Sequence, residues 1–130
     1  MKNIILIILV LLSSCGFSQR QNNWRDGHVE LDSIPLTAYE YKERGKRKSA
    51  NGDKQGAIDD YTRAIMVEPT YDTAYHNRGV VRADIGYYKD AILDYTKAIE
   101  INPHFAASYF SRANAKVDLR DNKGALSDYS

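Results

Sequence analysis

Landmark residues of the stretch from Ala74 to Pro103 recur every 34 residues, and this spacing constrains the fold more than any other feature of the 130-residue chain. One period before Tyr75, Gly79, Ala91, Tyr95, Ala98 and Pro103 stand Tyr41, Gly45, Ala57, Tyr61, Ala64 and Pro69. One period after the first four stand Tyr109, Ala113, Ala125 and Tyr129. A fixed period in this range marks one supersecondary unit repeated along the chain, each copy burying its apolar face on the next.

The unit reads as two helices. Thr37-x-x-Glu40 has capping-box spacing, so the ordered domain is expected to begin there. A first helix should run to about Ala50, where Gly52 supplies a left-handed helix end and Asp53 caps the second helix. Ala57, Ile58, Tyr61, Ala64 and Ile65 then form one apolar helix face, closed by Glu68-Pro69. The second unit has the same parts: Tyr75, Gly79 and Ala83, a break at Gly86, a face of Ala91, Ile92, Tyr95, Ala98 and Ile99, and a stop at Asn102-Pro103. A third unit starts at Ala106 and carries Tyr109, Ala113 and Val117, then Ala125, Leu126 and Tyr129.

With the period, the helix pair and these landmarks, residues 38–130 resemble tetratricopeptide repeats, in units 38–71, 72–105 and 106–130. Tyr41, Tyr75 and Tyr109 take the family's bulky position, and Gly45, Gly79 and Ala113 its small one. Ala57, Ala91 and Ala125, then Tyr61, Tyr95 and Tyr129, take its alanine and aromatic positions; Ala64 with Pro69 and Ala98 with Pro103 close each unit. The resemblance implies an all-α fold of tandem helix-turn-helix repeats in a short right-handed solenoid. Two departures stand out. Arg44, Arg78 and Arg112 occupy a place where the family favours Leu, and Lys48, Arg82 and Lys116 replace an aromatic, their aliphatic stems able to cover the same surface.

Ahead of the repeats, Ile4 to Leu12 is an unbroken apolar run, too short to span a bilayer as a helix but of the length of a signal-peptide core. Leu12-Ser13-Ser14-Cys15 after it resembles a bacterial lipobox. That resemblance implies a signal peptide over 1–14, lipidation of Cys15, a membrane anchor, and a place in the cell envelope on the periplasmic or outer face. Cleavage by an ordinary signal peptidase nearby, leaving a soluble secreted or periplasmic protein, stays open. Residues 15–36 are polar and aperiodic, the composition of a flexible tether with a reach of roughly 25 Å. Trp24 within it is expected either to pack on the first repeat or to meet a partner.

Chemistry is sparse. One cysteine excludes an internal disulfide, and His28, His76 and His104 share no metal-ligand spacing. Asp59, Asp60 and Asp94 suggest no carboxylate pair, because neighbours on a helix diverge, and are expected to be solvated. No phosphate loop or nucleophile motif appears, so no enzyme, metal or cofactor is expected. Without the leader the basic and acidic residues balance, giving no reason to expect nucleic acid.

The family resemblance instead implies binding along a concave groove lined by the first helix of each repeat. Its residues here are Tyr39, Lys42 and Lys46, then Thr73, His76, Asn77 and Val80, then Phe110 and Asn114. Such a lining suits an extended or helical peptide with an acidic feature near Lys42 and Lys46. Chaperone-binding members of the family clamp a C-terminal carboxylate with five residues. Lys42 and Asn77 match two of them, while Lys46, Ala107 and Ser111 do not. The reading is a protein-binding scaffold, with two alternatives: an incomplete piece of a longer repeat protein, or a homodimer through an uncovered third repeat.

Overall fold

The computed structural model describes residues 35–130. The leader, Cys15, Trp24 and the tether up to residue 34 lie outside the described residues. Within them the chain forms three helix pairs and no strand. These are α1 (Ala38–Ala50) with α2 (Lys54–Val67), α3 (Asp72–Asp84) with α4 (Tyr88–Ile101), and α5 (Ala106–Asp118) with α6 (Asn122–Tyr129). Their ends reflect local chemistry. Thr37 and Glu40 close a reciprocal cap, with the Thr37 N–H donating to Glu40 Oε2 at 2.8 Å and the Glu40 N–H donating to Thr37 Oγ1 at 3.2 Å. Asp53 and Asp121 accept from the Gly56 and Gly124 N–H groups at the starts of α2 and α6.

Between the helices of each pair one residue turns left-handed: Gly52 (φ 85), Gly86 (φ 84) and, one period on, Arg120 (φ 62). Glycine adopts this conformation freely, and arginine adopts it at a cost. Each helix packs on the helices before and after it, and first helices of neighbouring repeats also touch. Val81 of α3 sits with Ala57, Ile58 and Tyr61, and Ala115 of α5 with Ala91 and Tyr95. Close crossing within a pair needs the small positions. A Cβ on Gly79 would stand 2.8 Å from the Tyr95 ring.

The aspartates correct the expectation from sequence. Asp60, Asp94 and Asp128 recur at the period and are held by the very cations that depart from the family pattern. Asp60 and Asp94 are buried, whereas Asp59 is exposed as expected. Arg78 donates from Nε (3.0 Å) and Nη2 (2.7 Å) to the two oxygens of Asp94, and Arg82 adds a 2.7 Å contact. Arg44 with Lys48 grips Asp60, and Arg112 with Lys116 grips Asp128, in the same manner. Burial alone would raise the Asp60 and Asp128 pKa values, but the paired cations outweigh it and hold both below the usual carboxylate value. The third guanidinium nitrogen reaches the preceding repeat: Arg78 Nη1 donates to Thr62 Oγ1 and Arg112 Nη1 to Thr96 Oγ1, both at 3.0 Å. Each arginine also lies over the tyrosine three residues before it, at 5.2 to 5.6 Å from the ring centroid.

Candidate functional site

The first helices α1, α3 and α5 bring the groove residues into three settings. Lys42, Lys46, Thr73 and Asn77 converge, with Glu43 and Tyr61, on one cavity of about 260 Å³ between α1 and α3. Lys46 is exposed and has no ion-pair partner among the described residues, while Lys42 is mostly buried and pairs with Glu43 at 2.6 Å. Burial works to lower the Lys42 pKa, yet the Glu43 carboxylate and the Tyr71 hydroxyl together lift it, so the ammonium is firmly charged. Val80 and Asn114 line a second pocket of about 170 Å³ with Asp84, Tyr95, Ser111 and Asp118. The cavity between α1 and α3 thus carries two lysines and one glutamate, whereas the pocket at Val80 and Asn114 carries Asp84, which pairs with Lys54 at 2.9 Å, and Asp118.

The remaining residues stand apart from these pockets. Tyr39 is exposed, beneath the Lys42 ammonium at 4.3 Å from its ring centroid. It lines a separate hollow with Leu36, just ahead of α1, and Glu40, Glu43, Arg44 and Arg47 on α1. Phe110 is exposed and meets Tyr129 edge-on at 5.8 Å, and the Tyr129 hydroxyl donates to the Asn114 side chain.

His76 wedges between repeats, its ring 5.6 Å from Tyr95 and 4.9 Å from Phe105, with Nδ1 2.9 Å from Ser108 Oγ. Burial lowers its pKa against the opposing pull of Asp72. Sequence reasoning missed Ser108; its place one period after Ala74, among small residues, was the available signal. A serine beside a histidine has the parts of a nucleophile and base, but Ser108 is fully buried, so no substrate carbonyl can reach its oxygen. Among the described residues no three metal-ligating side chains cluster. What this surface can do is bind, through ammonium, amide, hydroxyl and aromatic groups on a rigid frame.

Comparison with known proteins agrees with this geometry. Residues 73–105 match the family model described as tetratricopeptide repeat. The second such domain of Spaghetti (RPAP3), bound to the HSP90 peptide SRMEEVD, superposes with a TM-score of 0.69 and 27% identity, over 71% of this chain and 85% of that one. MamA is similar at TM-score 0.70 and 31% identity, over 72% of this chain but 54% of its own, so this chain spans about half of it. The TPR2B domain of yeast Sti1, in a complex with pHsp70, matches at TM-score 0.69 and 31% identity over 70% of this chain and 73% of that one. Among curated proteins none matches this chain. With its helix pairs, its period and a relative of 31% identity covered over 73% of its length, the chain belongs to the tetratricopeptide repeat family.

Proposed function

We propose that this chain is a peptide-binding adaptor that takes an acidic segment of a partner protein into the groove over its first two repeats. The observation that carries the reading is the convergence of Lys42, Lys46, Thr73 and Asn77 on one cavity, two ammonium groups beside neutral hydrogen-bonding side chains. A carboxylate entering there meets Lys46 directly and competes with Glu43 for Lys42. The relatives bound to the HSP90 peptide SRMEEVD support an acidic ligand class. Ala107 and Ser111 supply no charge and Asp118 lines the far pocket, so the partner's acidic residues belong over the first repeat.

Fluorescence anisotropy with a labelled peptide carrying Glu-Glu at one end, and its Gln-Gln analogue, tests this. The acidic peptide should bind at least about tenfold more tightly, a difference of one charge-assisted contact, and Lys46→Glu should erase the preference. Equal affinity for both peptides, or a preference that survives Lys46→Glu, would sink the reading.

The adaptor is further proposed to be held at a bacterial envelope membrane through lipid on Cys15, supported by the apolar core from Ile4 to Leu12 and the Leu12-Ser13-Ser14-Cys15 sequence. No helix among the described residues is long and apolar enough to cross a membrane. Intact mass and detergent partitioning should show acyl chains on Cys15 that vanish, along with membrane association, in Cys15→Ser. An unmodified chain starting beyond Cys15 would refute the anchor.

A further inference from the structure

Two hollows border α1, and Glu43 lines both. On one side is the cavity of Lys42, Lys46, Thr73 and Asn77, where Glu43 is the one carboxylate among the lining residues. On the other side are Arg44 and Arg47, with Tyr39. The Glu43 carboxylate takes the first side, meeting Lys42 Nζ at 2.6 Å. By helix geometry this is the poorer choice. Successive side chains on a helix diverge, whereas a glutamate four residues before a cation faces it in the better of the two orientations, and Arg47 stands four residues on. Arg47 is exposed and has no ion-pair partner among the described residues.

Lys42 explains the choice. Its side chain is 14% exposed against 32% for Glu43, and an ammonium with so little water around it needs a counter-ion. Glu43 supplies one. The bond from Lys42, with further pull from Lys46 and Arg47, holds the Glu43 carboxyl below its ordinary value, so it sits ionised on Lys42 as a ligand carboxylate would. Two other groups also hold the ammonium: the Tyr39 ring, at 4.3 Å to its centroid, and the Tyr71 hydroxyl. Lys42 therefore has reason to stay in place when Glu43 leaves, and Glu43 has Arg47 to turn to one helical turn along α1.

Resting on the acidic-peptide reading of this cavity, we propose that Glu43 is its specificity-determining residue: it occupies Lys42 in place of a ligand carboxylate and yields only to one, turning to Arg47 as the ligand seats. The exchange loses no ion pair. Lys42 passes from Glu43 to the ligand, and Glu43 passes to Arg47. A neutral side chain cannot complete this exchange, because removing Glu43 would leave a mostly buried ammonium without a counter-ion. Glu43 thus works against neutral segments, while Lys42 and Lys46 work for acidic ones.

The test uses the full chain with the labelled Glu-Glu peptide and its Gln-Gln analogue. Glu43→Gln keeps the side chain's shape and removes the competing charge, so the acidic peptide should bind about tenfold more tightly, the scale of one charge-assisted contact. Arg47 separates exchange from a general change of charge. Arg47→Gln should weaken acidic binding about twofold while Glu43 is present, the scale of a pair one helical turn apart, and leave it unchanged in the Glu43→Gln background. Arg47→Lys should bind like the wild type. The side-chain carboxyl carbon resonance of Glu43 should shift on titration with the Glu-Glu peptide and stay in place with Gln-Gln. Unchanged affinity in Glu43→Gln, an equal Arg47→Gln effect in both backgrounds, or a Glu43 resonance indifferent to the acidic peptide each overturns the role of Glu43 and leaves the acidic reading standing. No preference for the acidic peptide in either the wild type or Glu43→Gln overturns both.

Discussion

The second and third repeats are built from nearly the same parts in the same register, yet among the described residues only one set of contacts is common to both. Asp128 is gripped by Arg112 and Lys116 much as Asp94 is by Arg78 and Arg82. Tyr129, by contrast, stands half exposed where Tyr95 is sealed, and Arg120 takes the left-handed turn that Gly86 takes one period earlier. The ionic clamp is thus a property of one repeat alone, whereas the apolar seal is a property of two.

The largest expected effect separates the tyrosines. Tyr95→Ala empties a filled junction and should cost about 3–5 kcal/mol in chemical denaturation. Tyr129→Ala should cost under about 1 kcal/mol, because little apolar area leaves water-free surroundings. Similar losses would show the third repeat to be sealed after all. Next, Asp94→Ala and Asp128→Ala should each cost their own repeat about 3 kcal/mol, read by hydrogen exchange, since each leaves two cations beside an empty place. A negligible loss at Asp128 alone would break the claim that the clamp is local.

Acid sharpens the distinction in two steps. His76 has its folded pKa depressed by burial, so stability should fall modestly as pH drops below its ordinary value of 6.5. Asp60 and Asp128 also have depressed folded values, so their contribution is present above 3.8 and is lost as pH falls further. Thermal melting against pH should show both steps, and His76→Gln should remove only the first. The smallest effect is Arg120→Gly, which relieves a left-handed arginine and should stabilise the third repeat by about 1 kcal/mol. Destabilisation instead would mean that the Arg120 side chain matters more than its backbone.

The helix pairs were legible because their signals are local: the Thr37 and Glu40 cap, Gly52 and Gly86 at the turns, Pro69 and Pro103 past the ends. The clamp was not, although Arg44, Lys48 and Asp60 repeat at the period as faithfully as the tyrosines do. Period shows that a residue has the same role in each unit. It does not show which residue across the helix crossing it meets, and a buried aspartate looks like a solvated one until that partner is placed. The groove was legible in part for the same reason. Helical spacing puts Tyr39 and Lys46 on one helix, but Tyr39 lines a different hollow from Lys42 and Lys46, which only the placement of α3 beside α1 reveals.

Arg78 and Arg112 each hold a carboxylate of their own repeat and a hydroxyl of the one before. A guanidinium shared in this way ties the melting of neighbours together, because a repeat that opens takes with it a bond belonging to the next. Loss of structure in one repeat should therefore loosen its neighbour, and within the described residues the second repeat, tied to both the first and the third, should be slow to exchange its amide hydrogens.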